Sequence, residues 1–152
     1  MKTKLTKYFL VLLSFLAFSS CSTDKTMIAK GVNLNKYKYA SIVNGQTIHG
    51  TETDIEIEPG IYEAIESTRL KMVGERRVND LSHDEKEKLV LVKYAATSSE
   101  QKSSLSVSFE DYMTGKTVVS CRASNRSAFS RQKDVDQAIW KLRDRIIKVW
   151  KQ

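Results

Sequence analysis

Two cysteines, two histidines and one short acidic run are the residues of this 152-residue chain that could do chemistry. Cys121 stands between Ser120 and Arg122, and a thiol becomes a nucleophile when a neighbouring cation lowers its pKa. Adjacent side chains on a strand point to opposite faces, so Arg122 is expected to turn away from it and Cys121 to be a small, half-buried core residue. His49 and His83 lie far apart in the sequence, and a zinc site would need further ligands at workable spacings, so neither metal nor cofactor is expected. Asp84-Glu85-Lys86-Glu87-Lys88 reads as a solvated turn, since acid-base work needs carboxylates held in a cleft. Lys141, Arg145, Lys148 and Lys151 fall on the polar side of the last helical segment. They are either a solvated face or a candidate patch for anionic lipid headgroups. Trp140 and Ile147 sit on the flank of that segment's apolar arc. Cover by a wide sheet is the expectation for them, and an exposed patch for a protein partner is the alternative.

The other cysteine belongs to the N-terminus. Lys2, Lys4 and Lys7 precede an apolar run from Tyr8 to Phe18, and Ser19-Ser20 leads into Cys21. This is the layout of a secretory signal peptide, and about eleven apolar residues are too few for the ~20 that span a bilayer as a helix. Residues 16–21, Leu-Ala-Phe-Ser-Ser-Cys, resemble the lipobox of bacterial lipoproteins, although Phe18 stands where Leu is usual. That resemblance implies cleavage before Cys21, acylation of its thiol and a membrane held through lipid. Ser22 after the cysteine implies the outer membrane. The expected division is a signal peptide over 1–20, a lipidated tether over 21–30 and a single domain over 31–152. Loss of the leader removes three lysines and lowers the formal charge from +7 to +4. A nucleic-acid partner, which would want a strongly basic clustered face, is not expected.

The elements that must position these residues follow from periodicity. Tyr37 to Val43 is a strand candidate ending at the Asn44-Gly45 turn signal. Ile55 and Ile57 alternate with acids as a short half-buried strand would. Pro59 suits the first turn of a helix, and Ile61, Ala64, Ile65, Thr68 and Met72 recur at helical spacing up to Gly74, a left-handed cap candidate. Ser82 and Glu85 form a capping-box pattern. Leu89 to Ala96 is a continuous strand run, Leu105, Val107 and Phe109 alternate with serines, and Asp111 to Lys116 makes a hairpin into Thr117 to Arg122. From Asp134 to Trp150 the apolar residues fall within an arc of about 120° on a helical wheel. The expectation is an α+β two-layer sandwich, a mostly antiparallel sheet with two helices on one face.

Tyr37-Lys38-Tyr39-Ala40, Met72-Val73-Gly74-Glu75-Arg76-Arg77-Val78, Leu89-Val90-Leu91-Val92, the Asp111-Tyr112-Met113-Thr114-Gly115-Lys116 hairpin and a terminal amphipathic helix together resemble a family of uncharacterised bacterial lipoproteins. Its shared motifs are Y-K-x-Y-A and D-x-x-T-G-K, and Ser120 replaces its usual apolar aromatic. The element order also looks like the periplasmic N-terminal domain of Tol-type translocation proteins and the soluble part of curli-secretion lipoproteins, a fold-level analogy only. The resemblance implies a cell-envelope lipoprotein of unknown specific activity. The lipobox-like Cys21 and the lack of any catalytic constellation in the sequence point to a non-enzymatic binding or assembly module that meets the membrane through acylated Cys21, with an envelope protein as a candidate partner. An envelope hydrolase or transferase using Cys121, His49 or His83 is the alternative.

Overall fold

The computed structural model describes residues 24–43, 46–47, 54–99, 102–126 and 131–151. The expected positions of Cys21 and His49 lie outside them. Among the described residues the strands are β1 (Lys25–Ile28), β2 (Tyr39–Ile42), β3 (Gln46–Thr47), β4 (Lys71–Met72), β5 (Leu89–Ser99), β6 (Lys102–Asp111) and β7 (Thr117–Asn125). The helices are α1 (Asp54–Glu66), the one-turn α2 (His83–Lys86) and α3 (Arg131–Trp150). Short 3₁₀ segments cover Leu34–Lys36 and Glu75–Asp80. The fold is α+β.

The sheet runs β1-β7-β6-β5-β2-β4, with β3 beside the far part of β5. From β1 to β5 it is antiparallel: hairpins join β5 to β6 and β6 to β7, and β1 adds to β7 from the distant N-terminal segment. The α1 crossover brings β2 and β4 in parallel to their neighbours. Alternation along β5, β6 and β7 turns Val90, Val92, Tyr94, Leu105, Val107, Phe109, Val119, Cys121 and Ala123 to one face, where α3 and α1 bury them. From α3 come Val135, Ala138, Leu142, Ile146 and Trp150, and from α1 Ile57, Ile61, Ala64 and Ile65. The two helices touch so closely at Gly60 that an added Cβ would stand 2.7 Å from Ile139 Cγ2.

Hydrogen bonds lock the end of the sheet at the β6–β7 hairpin. The buried Asp111 carboxylate accepts from Tyr37 Oη at 2.8 Å, Lys36 Nζ at 3.0 Å, Thr114 N at 2.8 Å and Thr114 Oγ1 at 3.0 Å. One residue thereby closes the hairpin and fastens the segment before β2. Gly115 takes φ 66°, the left-handed conformation expected of it.

Four expectations give way. Lys25–Ile28, placed in a tether, pairs with Val119–Arg122 as the outermost strand, so the ordered fold begins earlier than residue 31. Asp54–Glu58, read as strand-like, is the first turn and a half of α1; Ile57 lies one turn before Ile61 and shares its buried face. Pro59 therefore sits inside the helix, not at its start. Gly74 has φ −61° and precedes the second 3₁₀ segment, because α1 ends at Glu66 and Lys71–Met72 has joined the sheet as β4.

Candidate functional site

Among the described residues, the face of the sheet away from α1 and α3 is the open one. Near β2 the second 3₁₀ segment packs on it, and Val78 and Ser41 are buried. Beyond, alternation presents Lys93 and Ala95 of β5, Ser104, Ser106 and Ser108 of β6, and Ser120 and Arg122 of β7. Register sets them in rows: Lys93, Ser108, Ser120 and Met27 in one, Ala95, Ser106, Arg122 and Lys25 in the next. Small side chains on a twisted sheet leave a shallow concavity of about 420 Å³ over Lys93, Ala95, Ser106, Ser108 and Ser120. Lys93 is neutralised by Glu110 Oε2 at 2.6 Å. Arg122 Nε donates to Ser104 Oγ at 3.2 Å, and Met27 is 53% exposed.

Asp24 pins the start of β1. Its Oδ1 accepts from Ser124 N at 2.8 Å, and its Oδ2 stands 3.7 Å from Arg145 Nη2 and 4.0 Å from Lys141 Nζ. Lys141 also donates to Ser124 O at 3.0 Å and Asn125 Oδ1 at 2.9 Å, while Arg145 reaches Thr26 Oγ1 at 3.4 Å. The basic patch read on the last helix is thus divided. Lys141 and Arg145 bend back to the sheet and meet a carboxylate, because β1 lies beside them. Lys148 pairs along the helix with Asp144 at 2.7 Å, and Lys151 is exposed. Trp140 is 67% exposed and not covered by the sheet as expected, since it lies about 160° around α3 from the buried Ala138 and Leu142 and points away from the sheet. Ile147, two helical turns away on the same flank, is half-buried.

Cys121 is fully buried. Burial pushes its thiol up to about 11, against the smaller opposite effects of a Thr26 hydrogen bond and the Arg145 charge. A thiol held protonated under α3 is a packing group. Its charged neighbour is Arg145, which adjacency in sequence does not reveal. His83 is exposed on α2 with Nε2 3.5 Å from Glu87 Oε1. Glu85 completes the expected capping box: the Ser82 backbone and hydroxyl donate to its carboxylate and hold it below the usual range. No group of three His, Cys, Asp or Glu side chains among the described residues could hold a metal ion, and no helix there is long and apolar enough to cross a membrane.

No protein-family model and no curated protein matches the chain. Solved structures share its fold. Two structures of the PelC dodecamer from Paraburkholderia phytofirmans, one of them a point variant, align over 83% and 82% of this chain and 97% and 99% of theirs, at TM-scores of 0.53 and 0.52 and identities of 10% and 11%. A PDZ domain protein from Parabacteroides distasonis aligns over 84% of this chain and 35% of its own, at 13% identity and a TM-score of 0.50. At such identities the likeness concerns the fold alone.

Proposed function

We propose that the chain is a cell-envelope lipoprotein, anchored in the outer membrane through acylated Cys21, whose domain is a non-enzymatic binding or assembly module. The observation that carries this reading is the basic, apolar and small-residue succession ending in Cys21, three residues before Asp24, the first described residue. Burial of Cys121 agrees with a module that uses its thiol for packing. The open hydroxyl-lined face, the β1 edge that is unpaired among the described residues and exposed Trp140 are surfaces such a module can offer an envelope partner. The PelC structures of the same fold are dodecamers, which makes self-association the first form of assembly to test.

The experiment is the intact mass and membrane fractionation of wild type and Cys21→Ser in a Gram-negative host. The expected wild-type mass is that of residues 21–152 plus acyl chains, in the outer-membrane fraction, and the variant loses both. A soluble, unacylated wild-type product overturns the proposal.

A further inference from the structure

Lys25 opens β1 directly opposite Arg122 of β7. Partners so placed project from the same face, with Cβ atoms about 5 Å apart. Both side chains are exposed on the outer face, and among the described residues neither has a carboxylate within ion-pair distance. Like charges directly opposite each other destabilise a sheet. The carboxylate nearest in sequence, Asp24, is committed to Lys141 and Arg145 on the helical side. Among the described residues the pair is therefore a double positive charge without a carboxylate partner, with the Arg122 guanidinium steadied by Ser104 and the exposed Met27 two residues along the same face.

Chain length says what lies opposite it. This step rests on the anchor reading above. From Cys21 to Asp24 the backbone can reach at most about 10 Å, and Asp24 is itself tied to β7 and α3. Lys25, one residue further on, is then at most about 14 Å of backbone from the anchored residue and Arg122 about 5 Å across from it, so the chain lets both come within a screening length of the headgroups, about 8–10 Å at physiological salt. We propose that the Lys25–Arg122 pair, with Met27 beside it, is a docking surface for anionic phospholipid headgroups of the membrane that carries the anchor. It turns the β1 end of the outer sheet face to the bilayer and leaves β4, about 24 Å away across five strand spacings, farther from it.

The test uses the mature lipidated protein in vesicles of phosphatidylcholine alone or of phosphatidylcholine with phosphatidylglycerol. Lysines are modified by an uncharged acylating reagent, and each site is read by peptide mass spectrometry. Lys25 is expected to react several-fold more slowly only in the anionic vesicles, to recover in high salt, and to lose protection by up to about fivefold in Arg122→Gln, the weight of one charge near such a surface. Lys71, exposed on β4, should react alike in both vesicles. Equal Lys25 rates in both, with the protein still floating on the vesicles, overturn the docking surface and spare the anchor. A protein that floats with neither vesicle overturns the anchor, and the docking surface with it.

Discussion

Replacing Asp111 by Asn removes one charge and keeps the shape, which makes it a sharp test of what fastens the hairpin to the chain before β2. The amide oxygen can still accept from Thr114 N and Oγ1, but the amide nitrogen now meets Tyr37 Oη and Lys36 Nζ, both donors to the native carboxylate. A hydrogen bond to a charged group contributes about 1.5–3 kcal/mol. The Lys36 side chain is 43% exposed, so its ion pair adds no more than about 1 kcal/mol. The expected loss at neutral pH is about 2–4 kcal/mol. The pKa depression that these same bonds produce gives a similar figure. Burial of Asp111 opposes its charge, yet bonds from Lys36, Tyr37 and Thr114 outweigh it and hold the carboxyl at about 2 against an ordinary 3.8. That depression corresponds to about 2 kcal/mol of stability. Because the folded pKa is the lower one, this stability is present above about pH 4 and is lost as pH falls towards 2. Urea unfolding of both proteins at several pH values from 7 to 2.5 is the assay. The difference between them should be largest at neutral pH and shrink below pH 4. A difference under 0.5 kcal/mol, or one of constant size across that range, refutes the reasoning.

Gly60→Ala gains about 1 kcal/mol of helix propensity but drives its Cβ to 2.7 Å from Ile139 Cγ2, an overpacking worth about 1–3 kcal/mol. Net destabilisation of about 1 kcal/mol is expected, and in an Ile139→Ala background the same change should stabilise; thermal unfolding of the four proteins checks the change of sign. Cys121, buried and shifted to about 11, should resist thiol reagents at pH 8 until urea unfolds the domain, and labelling as fast as a free thiol in the folded state would place it at a site. Asp24→Ala removes the shared partner of Lys141 and Arg145 and an acceptor for Ser124 N. Hydrogen exchange across β1 should then rise by tenfold or more while β5 and β6 keep their protection, since an edge strand of four residues has few other ties.

What the sequence alone determined is the part of the molecule in which each residue's neighbours are close along the chain. The serine alternation of β6, the Ser82–Glu85 capping box, the hairpin turn at Gly115 and the apolar arc of α3 are local patterns, and the two-layer α+β architecture follows from them. The leader and Cys21 are likewise a local pattern and remain a reading of sequence. Only the tertiary structure decided the rest. Lys-Thr-Met-Ile becomes a strand because β7 offers it a partner ladder, not because of any alternation of its own. Ile55 and Ile57 fit a strand or a helix equally well over so short a run, and packing of Ile57, Ile61 and Ile65 against the sheet selects the helix. The cations show the same dependence: pairing with Asp24 at the β1 edge takes Lys141 and Arg145 out of the basic face of α3, while cross-strand register sets Lys25 beside Arg122. Charge along a chain fixes how many cations there are, but which of them meet a carboxylate depends on contacts between segments some hundred residues apart, which no local period encodes.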